Sequence, residues 1–259
     1  MEEIPRDHPR YVSLMIRKRL VEGFRAGIVV PEGLLAHGRG EALDYILGEE
    51  TQPPAQQAVK AAAALMLSSQ HPVISVNGNT AALAVDEIVR LSKLVPAKIE
   101  VNLFHRSGER ISKIKQLLES HGAADVLGDD ELVEIPGLSS LRRLVSRRGI
   151  FAADCVLVPL EDGDRAEKLV SMGKKIIAID LNPFSRTSRA ATITIVDNVV
   201  RAMPSLCRAV EELKGLDHEA LQAIYKGFNN QENLARMIEL ILRRLERLAG
   251  LDGLKWGAA

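Results

Sequence analysis

Several apolar runs in this chain stop abruptly in polar or glycine residues, and that pattern restricts the fold more than any other feature. PVISVNGN ends in Asn77, Gly78 and Asn79, and IEVNLFHR ends in Asn102, His105 and Arg106. VLVPLEDGD ends in Glu161, Asp162 and Asp164; KKIIAIDLN ends in Asp180 and Asn182, with Arg186 and Thr187 close behind. Strands buried on both faces of a parallel sheet read as continuous apolar runs, and ligands of open α/β sheets sit beyond the carboxyl ends of such strands. Strands are predicted near 73–76, 98–103, 125–127, 155–158, 175–179 and 192–195, with helical patterns between them. The alternation predicts an α/β fold with a Rossmann-like, doubly wound, mainly parallel sheet.

Helices flank this core. His8 to Phe24 has apolar residues at helical spacing, leaving Arg17 free to point elsewhere. In GLLAHGRGEALDYILGE, glycines surround His37 and Arg39 before periodicity resumes at Glu41, which predicts Arg39 at a helix entrance. Gln56 to Leu67 is apolar on every side and predicts a helix buried between layers. From Asn229 to Ala249 a stripe of Leu234, Ile238, Ile241, Leu245 and Leu248 predicts a helix able to pack on its own domain or on a second subunit. Pro53-Pro54 and Pro204 are the clearest punctuation, giving an N-terminal helical segment at 1–70, a nucleotide- and substrate-binding core at 71–203, and C-terminal helices at 204–259.

Composition narrows the partners. Lys plus Arg and Asp plus Glu number 34 each, so the chain lacks the net positive charge that drives nucleic-acid or membrane-surface binding. No apolar run reaches the length of a bilayer span, and the first ten residues lack the apolar core of a signal peptide. Cys155 and Cys207 fall inside a strand and a helix pattern, as buried reduced thiols do. A cytoplasmic protein is expected.

The chemistry-bearing residues are arginines and asparagines at strand ends. Neither a phosphate-binding G-x-x-x-x-G-K-[ST] loop nor a full G-x-G-x-x-G is present, no serine elbow occurs, and no paired Cys or His spacing indicates a bound transition metal. Arg17, Arg39, Arg106 and Arg186 are phosphate candidates, because a guanidinium donates two parallel charge-assisted hydrogen bonds. Asn77-Gly78-Asn79 precedes a helical pattern, so its amides can face an anion at a helix N-terminus. His105 is a candidate base, and Asp180 a candidate for a ribose hydroxyl or Mg²⁺. Arg142, Arg143, Arg147 and Arg148 read as a solvated face. On these residues alone the chain reads as a small-molecule enzyme, and an oxidoreductase using a nucleotide, or a nucleotide-sensing module without catalysis, stays open.

DHPRYVSLMIRKRL, GLLAHGRGEALDYILGE, PVISVNGNTAAL, KIEVNLFHRSGER and IIAIDLNPFSRTSRAATITIVDNVVRA, in that order, resemble the archaeal phosphopantothenate synthetase family, also called 4-phosphopantoate:β-alanine ligase. The resemblance implies an enzyme of coenzyme A biosynthesis that joins 4-phosphopantoate to β-alanine, consumes ATP with Mg²⁺, releases AMP and diphosphate, and works as a homodimer. It further implies nucleotide contacts at Arg17, Arg39, Asp180, Leu181, Asn182, Arg186, Thr187, Asn198 and Val199. Asn77, Gly78, Asn79 and Asn102 are then expected at the other substrates, with His105 and Arg106 at the reacting atoms.

Overall fold

The computed structural model describes residues 4–250. Three helices lead the chain: α1 (Tyr11–Arg25), α2 (Pro31–Leu47) and α3 (Pro53–Ser68). The core follows as β1 (Pro72–Val76), α4 (Gly78–Leu94), β2 (Lys98–Val101), α5 (Gly108–Ser120), β3 (Val126–Leu127), β4 (Leu132–Glu134), a short turn of 3₁₀-helix (Leu141–Arg143) and β5 (Leu144–Ser146). Next come β6 (Cys155–Pro159), α6 (Gly163–Ser171), β7 (Lys175–Ile179), α7 (Arg186–Ala190), β8 (Ile193–Ile195), α8 (Val199–Leu213), α9 (His218–Lys226) and α10 (Asn230–Leu248).

Six strands form one parallel sheet in the order β3-β2-β1-β6-β7-β8. Strand alternation sends Ile74, Val76, Ile99, Leu157, Ile177 and Ile195 to one face, where they meet α3, α4 and α8. Val73, Val156, Val158 and Ile176 go to the other face, against α6 and the segment around β5. The doubly wound parallel sheet expected from the apolar runs is therefore present. β1 and β6 are neighbours although far apart in sequence, so the crevice between their carboxyl ends is the point where strand order reverses, the usual ligand position in such sheets.

The local details depart from expectation in three places. α2 begins eight residues ahead of Arg39 and runs without interruption, because Pro31 occupies its first turn and Gly48, at φ 95°, ends it. Arg39 therefore lies within a helix and not at its entrance. A second sheet, β4 paired antiparallel with β5, was not foreseen. Pro204 lies inside α8, so the expected boundary at 203/204 falls within a continuous helix. Along α10, Leu234 and Ile241 are buried against the parent chain, while Leu245 and Leu248 at the far end are 43% and 69% exposed.

One buried carboxyl ties the two sheets together. Glu100 of β2 is fully buried; its Oε1 accepts from Ser146 N at 3.0 Å and its Oε2 from Ile150 N at 2.6 Å. Burial nevertheless pushes the carboxyl up to about 7 from an ordinary value of 4.5. A carboxyl that holds its proton more tightly when folded stabilises the fold at low pH and loses that contribution as pH rises from the unfolded value through the folded one. Between pH 5 and pH 8 the unfolding free energy is expected to fall by about 2–3 kcal/mol from this group alone. Urea titrations across that range should show the slope, and Glu100→Gln should flatten it.

Candidate functional site

A cavity of about 400 Å³ opens at the β1/β6 crevice, walled by α2, the start of α4, the residues after β2 and β6, and the start of α8. Asn77 sets its floor. The side chain caps α4 by accepting from Thr80 N at 3.0 Å, while its Nδ2 donates to Pro159 O at 2.9 Å and Leu160 O at 3.2 Å. One amide thus caps a helix and pins the ends of the two central strands. Leu160 takes a positive φ of 56° there, a costly conformation for a branched side chain, and its carbonyl is one of those Asn77 holds. Gly78 follows as the first helical residue, where a Cβ would run into the carbonyl oxygen of Ile28.

α2 lies along the cavity. Near its start Asn79 Nδ2 donates to Gly33 O at 2.8 Å, an approach that a side chain at Gly33 would block. Glu32 sits 3.9 Å from His105 Nε2. Two turns further, Arg39 and Gly40 share the wall with Leu181, Asn198 and Val199, and Leu181 Cδ1 lies 3.4 Å from where a Cβ on Gly40 would be. From Gly33 to Gly40 is about 10 Å along the helix axis. Asn198 caps α8 by accepting from Val200 N at 3.2 Å, and its Nδ2 donates to Asp44 of α2 at 2.8 Å. This contact anchors the far half of α2.

Of the residues singled out in the sequence, His37, Arg39, Asn77, Gly78, Asn79, His105, Asp162, Leu181, Asn198 and Val199 meet in this cavity wall. The others lie behind or beside it. Arg17 forks onto Glu41 at 2.8–2.9 Å, one layer out from His37, which does line the wall. Asp180 is mostly withdrawn beneath Arg39, accepting from Ser185 Oγ at 2.5 Å and Asn182 N at 2.9 Å. Arg186 pairs with Glu167 on an exposed surface, and Thr187 Oγ1 donates to Glu161 O at 2.9 Å. Arg106 donates to Gly128 O outside the cavity wall. Asn102 is 1% exposed and donates to Leu144 O at 3.0 Å and Arg142 O at 3.4 Å, so it props the segment carrying Arg142.

Arg142 corrects the expectation of a solvated arginine face. It is buried, joined to Glu161, and lines the cavity, whereas Arg148 is exposed as expected. Arg110 also lines the cavity and was given no role from sequence, although it closes the KIEVNLFHRSGER block; its Nε donates to Ile28 O at 2.8 Å and its Nη1 to His105 O at 2.7 Å. Burial, and then the charge of Arg142, lower the Arg110 guanidinium from its ordinary value. No position in the sequence links Arg142 to the other wall residues, since only the folding of its segment onto Asn102, Glu100 and Glu161 brings it there.

Among the described residues no group of three or more His, Cys, Asp or Glu side chains is arranged to hold a metal ion. Magnesium carried on nucleotide phosphates requires only one or two carboxylates, and Glu32 and Asp162 are in the wall. Among the same residues no helix is long and apolar enough to cross a membrane.

Residues 54–244 match the family described as phosphopantothenate/pantothenate synthetase. A protein of Methanosarcina mazei named 4-phosphopantoate--beta-alanine ligase is 48% identical over 98% of this chain and 100% of its own length. Relatives of the same name from Thermococcus kodakarensis and Methanospirillum hungatei are 48% and 50% identical, over 96% and 93% of this chain and 96% and 98% of their own lengths. With a match of this extent laid over the sheet and cavity just described, the chain belongs to the phosphopantothenate/pantothenate synthetase family.

Proposed function

We propose that this protein is a ligase that condenses 4-phosphopantoate with β-alanine, consuming ATP and releasing AMP and diphosphate. The observation that supports it best is the single cavity in which Arg39, Leu181, Asn198 and Val199 converge about 10 Å along α2 from the start of α4. Such a cavity suits two anionic reactants that must meet between its ends.

In this reading the α8 end takes the nucleotide. Arg39 faces its phosphates, and Asp180 and Asn182 order the loop after β7 beneath it. The Arg186–Glu167 pair is exposed and worth less than about 1 kcal/mol, so Arg186 can exchange its partner for phosphate at little cost. Arg17 acts through Glu41 on the position of α2. The carboxylate of phosphopantoate attacks the α-phosphorus of ATP and diphosphate leaves; the amine of β-alanine then attacks the acyl carbon and AMP leaves. Ammonium cannot attack, so the amine must first lose a proton. We assign that step to His105, whose Nε2 lies 3.9 Å from Glu32. Magnesium, riding on ATP, supplies charge neutralisation for the leaving diphosphate. The same reading makes the protein a cytoplasmic homodimer, with exposed Leu242, Leu245 and Leu248 of α10 available at a subunit contact.

Oxygen-18 in the phosphopantoate carboxylate should appear in AMP when the purified protein is given ATP, Mg²⁺ and β-alanine. Label in inorganic phosphate would overturn the adenylate route. ATP binding without AMP release under those conditions would overturn the ligase reading itself.

A further inference from the structure

Behind the Arg39 end of the cavity lies a buried charged cluster with no part in the chemical steps. Arg201, in the first turn of α8, sits between two carboxylates from different parts of the chain. Its Nη2 and Nη1 donate to the two oxygens of Asp44 on α2 at 2.5 and 3.2 Å, and its Nε and Nη2 reach Oδ1 of Asp197 at 2.8 and 2.7 Å. Asp44 and Asp197 are 5% and 1% exposed. Asp197 also accepts from Thr51 Oγ1 at 2.6 Å and from Asn198 N at 2.7 Å, while Asp44 accepts from Asn198 Nδ2 at 2.8 Å. The cluster thus holds both the backbone and the side chain of Asn198, which is itself in the cavity wall.

α2 fully buries only Glu41, Asp44 and Leu47, so two of its three buried residues are carboxylates, each met by an arginine of another helix. The two arginines differ. Arg17, which meets Glu41, is 44% exposed at its side chain, so a phosphate in the cavity can draw it off at the small cost of a wet ion pair. Arg201 is 20% exposed, has all three guanidinium nitrogens engaged, and does not line the cavity. Moving it would strip two buried carboxylates of their shared counter-charge. Arg201 is therefore the charged fastening of α2 that persists when ligands exchange at the wall.

We infer that Arg201 is a positioning residue for the nucleotide: by holding Asp44 and Asp197 together it fixes the far half of α2, with Arg39 and Gly40, against the start of α8, with Asn198 and Val199. This rests on the reading given under Proposed function, which puts the nucleotide at this end. Arg201 lies outside the wall, so what it supplies is the spacing of the two walls and not a contact of its own. Arg39 precedes Asp44 by five residues on α2, about 7.5 Å along the axis, so a slip at the Asp44 contact passes along the helix to Arg39. The near half of α2 has a separate link, Asn79 Nδ2 to Gly33 O, and the other end of the cavity is spared.

Calorimetric binding of ATP with Mg²⁺, and separately of 4-phosphopantoate, to the wild type, Asp44→Asn and Arg201→Lys tests this, with steady-state kinetics beside it. Asp44→Asn keeps the shape of the side chain and an acceptor for Asn198 but frees Arg201 from one of its two carboxylates; Arg201→Lys keeps the charge and loses the fork. In both, ATP affinity should fall about tenfold, the worth of one misaligned charge-assisted contact, and kcat/KM for ATP about a hundredfold. Affinity for 4-phosphopantoate should stay within about twofold. Thermal unfolding certifies that each variant is folded, and should Arg201→Lys fail to fold, Asp44→Asn, which removes no counter-charge, decides alone. A lowered melting temperature with unchanged ATP affinity, or ATP and 4-phosphopantoate weakened alike, overturns the assignment. A wild type that binds ATP without releasing AMP overturns the ligase reading, while the same binding comparison still decides the role of Arg201.

Discussion

Glu161→Ala is expected to lower the unfolding free energy by about 3–5 kcal/mol, the cost of stripping a buried ion pair of one partner. Glu161 is 2% exposed at its side chain and is shared by Arg142, 8% exposed, and Arg165, which is fully buried. It also accepts Asp162 N at 2.8 Å. Arg165 is already short of partners, since its Nε and one Nη make no hydrogen bond. Removing the carboxylate leaves that charge with no counter-charge in contact and frees Arg142 from its clamp. Urea unfolding should report the loss, and one below about 1 kcal/mol would show that water reaches the network. Replacing the group as a whole, Arg142→Met with Glu161→Leu and Arg165→Met, should restore most of the stability, because well-packed apolar side chains substitute for a buried triad at little cost. Restored stability without phosphopantoate binding would separate what this network does for the fold from what it does for the cavity.

Gly78→Ala should reduce turnover about a hundredfold or more, the scale of an ångström-sized misplacement of reactants. A Cβ there meets the carbonyl oxygen of Ile28 and the Nη2 of Arg110. The oxygen belongs to a buried residue behind α1 and cannot swing aside as a flexible side chain would, so the start of α4 or Arg110 must move. Overpacking of this kind costs about 1–3 kcal/mol in stability. Gly108 begins α5 with open space where its Cβ would be, so Gly108→Ala is the matched control and should leave kcat/KM near that of the wild type. Equal activity in the two variants would refute the crowding argument.

The six parallel strands were legible because they are mostly apolar, as strands buried on both faces are, with Ser75, Glu100 and Thr194 as isolated polar members, and because each ends at a turn signal. β4 and β5 were not, since three residues with exposed or half-exposed members, such as Leu132 and Glu134, carry too little alternation to distinguish from loop. The glycines of α2 suggested a loop, yet Pro31 and Gly48 were the informative positions, one fixing the start and the other the stop. Cavity-wall residues adjacent to strand ends, Asn77 and His105 among them, were singled out from that adjacency. Arg142 was not, because its partner Glu161 lies nineteen residues on and the intervening chain folds back through β5 before reaching it. A run of arginines has the same local pattern whether it is wet or buried; the counter-charge decides, and the counter-charge is a matter of topology.

α2 fully buries only Glu41, Asp44 and Leu47, whereas α4 and α8, which also wall the cavity, each bury a long apolar face. The cavity therefore has walls attached by extensive apolar packing and one, α2, held by partly buried apolar side chains together with polar links to α1, α4 and α8. Segments fastened in the second way open at a small fraction of the global unfolding free energy. A ligand that touches both α2 and α4 adds its own binding free energy to that fastening, about 2.7 kcal/mol at a hundredfold excess over Kd. Reactants are thus part of the enclosure that keeps water from an activated acid. Bulk solvent has its freest passage when the cavity is empty, and at that moment there is nothing in it to hydrolyse.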